Sequence, residues 1–153
     1  MNALENKVPP PIVALLVGAV MWGIARLSPL PEGESPLRVA ISSGLACLGI
    51  LVVVLGMLAF RRAKTTINPV NIKAASSMVT SGVYRYTRNP MYIGLTVALV
   101  GWAVHIGVPF VLVGPVIFML FITRFQIIPE ERVLTSKFGE EYRKYREQVR
   151  RWL

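Results

Sequence analysis

The 153-residue chain has one cysteine, one histidine and no aspartate. Cys47 lies in an apolar segment and cannot form an intrachain disulfide, so it reads as packing. A lone histidine and a lone cysteine do not make a transition-metal site. Neither a catalytic triad nor a thiol nucleophile is supported. No strand is followed by a glycine-rich turn and a helix, so a nucleotide would have to be held without a doubly wound sheet. Charge is missing from two long stretches, the 22 residues Val39 to Phe60 and the 32 residues Met91 to Ile122. There is no internal repeat and no low-complexity tract.

What is present is apolar and basic. Hydrophobic residues make up 54% of the chain, charged residues 16%, and the mean hydropathy is +0.54, outside the usual soluble balance. The length allows one compact domain, residues 1–153. Eight glutamates stand against seventeen lysines and arginines, a net charge of +9. A nucleic-acid-binding protein would not commit so much of its length to apolar runs. The basic residues flank those runs, so anionic lipid headgroups are the expected counter-charges.

Four apolar segments are expected to span a membrane, giving an all-α integral membrane protein. Pro11 to Leu27 is short, but a helix of ~20 residues crosses a ~30 Å core once flanking residues are added. Pro9, Pro10 and Pro11 open it, where a missing N–H costs least. With only Lys7 basic and a weak cleavage pattern, it reads as a permanent span rather than a signal peptide. Val39 to Phe60 is the second span. Between them, Ser28 to Arg38 carries Pro29, Pro31, Gly33 and Pro36 and reads as a loop. The run Met91 to Ile122 would make a continuous helix of ~48 Å, too long for one span. Pro109 near its middle predicts a tight hairpin of a third span, Pro90 to Val104, and a fourth, Pro109 to Phe125. Gly101, Gly107 and Gly114 would permit close helix contacts.

The loop from Arg61 to Asn89 contains Arg61, Arg62, Lys64, Lys73, Arg85 and Arg88 and no acid, which places it on the cytoplasmic side of the inner membrane. Both termini are expected there, with His105 opposite as a hairpin or interface residue. Beyond Phe125, the residues Leu134, Phe138, Tyr142, Tyr145, Val149 and Trp152 recur at spacings of three and four. They mark one face of an amphipathic cytoplasmic helix, which Gly139 divides.

Chemistry concentrates at two places. In SGVYRYTRNPMYIG, Ser81 to Gly94, the residues Tyr84, Arg85, Tyr86, Arg88, Asn89 and Tyr92 lie across a helix entrance opened by Pro90. Unpaired N–H groups there, with Arg88, favour an anion. Asn89 is placed to cap that helix or touch a ligand. Tyr86 and Arg85 taken singly read as interface anchors. After Pro129 come Glu130 and Glu131, whose side chains point about 100° apart on a helix, so one can face a pocket while the other pairs with a base such as Arg88 or Arg124. Arg124 either lines the same pocket or reaches headgroups.

These residues resemble the isoprenylcysteine carboxyl methyltransferase and phospholipid methyltransferase superfamily of integral membrane enzymes. The likeness runs through SGVYRYTRNPMYIG and resumes in PEERVLTSKFGEEYRKYREQVRRWL, Pro129 to Leu153, so the cofactor-binding core is expected at about residues 81–153. The resemblance implies a pocket for S-adenosyl-L-methionine, leaving S-adenosyl-L-homocysteine. One side is formed by Tyr84, Arg88, Asn89 and Tyr92, and the other by Glu130 and Glu131. Phe138, Tyr142 and Tyr145 would close it or support the terminal helix, and Arg88, Glu131 and Arg124 are the candidate catalytic residues. Many carboxyl-methylating members carry histidine where this chain has Asn89, which removes the one titratable ring from the motif. The implied reaction is direct methyl transfer to a lipophilic acceptor at the cytoplasmic face. The other readings are an NADPH-dependent membrane reductase of the sterol-reductase type and a nonenzymatic membrane lipid-binding or assembly protein. No metal and no nucleic acid is expected.

Overall fold

A computed structural model describes residues 5, 7–28, 35–63 and 78–153, and every regular element among them is helical. Helix α1 is Pro10–Ala25 and α2 is Pro36–Arg62. A 3₁₀ turn at Gly82–Arg85 precedes α3, Pro90–Ile106. A second 3₁₀ turn, Pro109–Leu112, leads into α4, Val113–Ile122. A π turn at Thr123–Ile127 then carries the chain into α5, Ile128–Gln148. Proline stands in the first turn of α1, α2 and α3, where its fixed φ suits the helix and no intrahelical N–H is lost. The sequence-predicted loops fall largely on residues 29–34 and 64–77, outside the described residues.

Among the described residues two helices are long and apolar enough to cross a membrane. One is Pro36–Arg62, 27 residues, and the other is the run Pro109–Gln148, 40 residues. Helices α1 and α3 have only 16 and 17 residues. At 1.5 Å per residue each is about 25 Å long, short of a ~30 Å hydrocarbon core. The expectation of four transmembrane helices is therefore corrected to two. The helices lie close to the expected segments, and α2 and α3 even run a little longer, but flanking residues do not extend α1 and α3 to a full crossing, and Gly107 closes α3. That glycine is at φ +75°, a left-handed C-cap whose N–H bonds the carbonyl of Ala103 at 3.1 Å. Gly107 thus ends a helix rather than seating one against another. The amphipathic C-terminal helix is also no separate element. It continues α4 through the π turn, and its own break is at Gly139, φ +50°.

The core joins α1, α3 and α4. Phe118 and Ile122 are wholly buried among Met21, Ala25, Leu99 and Ala103. Helix α2 lies on α3 with backbone against backbone. A Cβ on Gly94 would stand 2.5 Å from the carbonyl oxygen of Gly49, and one on Gly49 would stand 2.5 Å from that of Gly94. Both positions must stay bare for the helices to meet. The outward faces are oily: Leu15, Leu16, Ile50, Ile117 and Leu120 are all exposed. Helices apolar on every side require an apolar surround, and this is the physical basis for membrane association.

Gly94→Leu is expected to lower stability by about 1–3 kcal/mol or more through overpacking. Gly44→Leu, where a Cβ meets nothing within 4 Å, should be nearly neutral. Thermal unfolding of both in the same detergent checks the contrast.

Candidate functional site

The two polar segments, separated in sequence by α3 and α4, meet in space. Asn89 adopts φ −131°, ψ 52° ahead of Pro90, so the chain enters α3 through an extended corner rather than a helical turn. The side chain of Asn89 does not cap α3. Its Nδ2 donates to the carbonyl of Arg151 at 2.8 Å, and Thr87 Oγ1 donates to the same oxygen at 3.2 Å. The backbone N–H of Arg88 donates to the carbonyl of Arg150 at 3.0 Å. These bonds exist because α5 ends at Gln148. Val149, at φ −123°, ψ 129°, turns the last residues back across the start of α3. The sequence stripe therefore holds through Tyr145, while Trp152 leaves the helix and packs on the main core.

Glu131 is the electrostatic hub. Arg88 Nη2 reaches Oε1 at 2.9 Å, while Arg151 donates through Nε to Oε1 at 3.1 Å and through Nη2 to Oε2 at 2.7 Å. The Arg88 and Glu131 side chains are only 10% and 11% exposed. Arg88 Nη1 also donates to the carbonyl of Arg146 at 3.4 Å, but its buried Nε has no partner.

Glu130 has a different environment. It accepts one hydrogen bond, from Tyr92 OH at 2.6 Å. Its carboxyl sits deep among protein atoms, yet the residue keeps some accessible surface. It lies beyond the apolar stretch of its helix, past Arg124. Burial pushes its carboxyl up from 4.5 to about 7 against the opposing Tyr92 hydrogen bond, with neighbouring Glu131 adding to the rise.

The tyrosines frame these groups. Tyr145 OH donates to the carbonyl of Tyr84 at 2.7 Å, and Tyr84 packs edge-on against Phe60 with ring centroids 5.4 Å apart. Tyr142 and Tyr145 form a small core with Val149. Tyr86 is 77% exposed, as an interface anchor would be. Arg124 is half-exposed and pairs with Glu5 at 3.3 Å rather than with Glu130 or Glu131. The structure thus gathers Arg88, Asn89, Tyr92, Glu130 and Glu131, lays Tyr84, Tyr142 and Tyr145 beside them, and turns Arg124 elsewhere.

Two contributors, Arg151 and Thr87, carried too little sequence signal to be singled out. Arg151 is one of many basic residues near the C-terminus, and nothing local shows that the chain doubles back there. Thr87 is an ordinary small polar residue until its partner is known. Gln126 did carry a signal, as an amide inside an apolar run four residues before the glutamates, and it is 1% exposed.

Residues 37–141 match the family model described as Phospholipid methyltransferase. An uncharacterised protein of Haemophilus influenzae is 48% identical over 63 residues, 41% of this chain and all of that protein. The protein-S-isoprenylcysteine O-methyltransferase of Schizosaccharomyces pombe is 35% identical over 75 residues, 47% of this chain and 30% of the yeast protein. Protein-S-isoprenylcysteine O-methyltransferase A of Arabidopsis thaliana is 37% identical over 91 residues, 58% of this chain and 45% of the plant protein. The chain therefore spans less than half the length of these two enzymes.

Proposed function

Because the chain belongs to the phospholipid methyltransferase family, we propose that it is an S-adenosylmethionine-dependent enzyme of the inner membrane that methylates a lipophilic acceptor at the cytoplasmic face. The observation that carries this reading is the meeting of the Arg88 segment with the glutamate pair, two polar groups of opposite charge held beside an apolar body.

The residues fit the cofactor on their own chemistry. Arg88 has a buried Nε without a partner, suited to a carboxylate. Glu130, which among the described residues accepts from Tyr92 alone, has lone pairs left for hydroxyls or an ammonium. Glu131 is saturated by two arginines, so its role is to hold Arg88 and Arg151 in place. Asn89 and Thr87 fix the entrance by binding the returning C-terminal segment. Tyr84, Tyr142 and Tyr145 supply aromatic walls.

Bound there, S-adenosylmethionine would supply a methyl group on a cationic sulfur; the acceptor–carbon bond would form as the carbon–sulfur bond breaks with its electron pair on sulfur, and an N–H or O–H acceptor would release its proton to water. The protein's part is alignment and exclusion of water, since no covalent enzyme intermediate is needed. The acceptor reaches the site from the hydrocarbon layer, past the oily faces of α1, α3 and α4. The basic residues around Arg61, Arg62, Arg85 and Arg88 orient this end toward the cytoplasm.

Isothermal titration of the purified protein with S-adenosylhomocysteine and, separately, NADPH tests the reading. Saturable binding of the thioether, weakened in Arg88→Ala without loss of membrane insertion, is the expected result. Selective binding of NADPH would favour a reductase. Binding of neither would favour a nonenzymatic lipid-binding role.

A further inference from the structure

Among the described residues two buried side-chain atoms have no hydrogen-bond partner, Arg88 Nε and Gln126 Oε1. The first belongs to the site above; the second has no use there. Gln126 is 1% exposed and sits on the π turn, a helix irregularity often kept at functional sites. Its Nε2 donates to the carbonyl of Val8 at 2.7 Å. That contact fixes the amide, because the flipped orientation would set two carbonyl oxygens against each other. The atom turned away from Val8 is therefore an acceptor. Pinning the N-terminal segment accounts for the nitrogen and leaves the oxygen unexplained.

Gln126 lies four residues before Glu130 on the same continuous helical run, across the end of the π turn. The order Glu131, Glu130, Gln126 runs from the arginine-lined mouth toward the apolar body, where Ile122 and Phe118 are wholly buried. Resting on the methyltransferase reading, we propose that Gln126 recognises the methyl acceptor, its amide oxygen taking a hydrogen bond from an N–H or O–H group. The substrate is then a lipophilic amine, alcohol or phenol rather than a carboxylate. An ionised carboxylate offers only lone pairs, so against Gln126 both groups stay unsatisfied.

The test is a matched ligand series titrated into the detergent-solubilised protein, with and without S-adenosylhomocysteine: dodecanol, its methyl ether and dodecanoate. Dodecanol should bind about tenfold more tightly than the ether or the carboxylate, the usual scale for satisfying one buried acceptor. Gln126→Met, similar in length but without the oxygen, should abolish the preference and leave S-adenosylhomocysteine affinity unchanged. Equal binding of alcohol and ether, or a preference that survives Gln126→Met, would overturn the proposal. If that variant does not fold, the wild-type series decides alone. Failure of the wild type to bind S-adenosylhomocysteine would count against the methyltransferase reading, while the series run without it still reports on Gln126.

Discussion

Glu131→Ala is expected to cost about 3–5 kcal/mol of stability, the usual consequence of removing one partner from a buried ion pair. Arg88 and Arg151 both converge on this carboxylate, and Arg88 is nearly buried. Without Glu131 two guanidinium groups face each other, and the one in the interior cannot be hydrated without opening the site. Arg88 also donates to the carbonyl of Arg146, and Asn89 holds the carbonyl of Arg151, so the distortion would spread to the corner at Asn89 and to the returning C-terminal segment. Arg151→Ala should cost much less, because Arg88 still compensates Glu131 and Arg151 is more exposed. Unfolding of both variants and the double variant in one detergent would measure the coupling. A loss of less than about 1 kcal/mol in Glu131→Ala would show that the hub is not structural.

Glu130→Gln should act in two opposite directions. Its carboxyl is raised in the folded protein to about 7. The folded state therefore holds the proton more tightly than the unfolded chain, and stability falls as pH rises from about 4.5 to about 7, staying low above that. Glutamine cannot ionise and still accepts from Tyr92. The ligand-free variant should thus be more stable than wild type at pH 8 and indistinguishable from it at pH 4. Binding runs the other way, since a charged acceptor for hydroxyl or ammonium groups is lost. S-adenosylhomocysteine affinity should drop about ten- to hundredfold, and the wild-type gain in affinity between pH 6 and pH 8 should vanish. Titrations at the two pH values check this. A wild-type affinity flat across that range and matched by the variant would remove Glu130 from the site.

Both predictions concern residues that stood out in the sequence, because adjacent carboxylates after a long charge-free run are unusual and helical geometry separates their directions. The division of labour between them was not legible. It depends on Arg151, brought back only because the chain turns at Val149, and local sequence carries little information about such a reversal. The helices were visible as charge-free runs, and α3, expected at Pro90 to Val104, is found at Pro90–Ile106; what failed is the expectation that flanking residues would complete a crossing. Gly107 reads equally well as a packing contact or a left-handed cap, and the structure makes it the cap. The π turn was not legible as such, although Thr123, Arg124 and Gln126 within it interrupt the apolar run. Arg124 illustrates the converse case: position suggested the pocket, but Glu5 on an approaching N-terminal segment provides a nearer partner.

The most direct measurement is an experimental structure with S-adenosylhomocysteine bound. The ligand should touch the Arg88–Tyr92 segment on one side and Glu130 on the other, with its sulfur turned toward Gln126. A nucleotide bound elsewhere, or held by one segment while the other stands clear, would contradict the account.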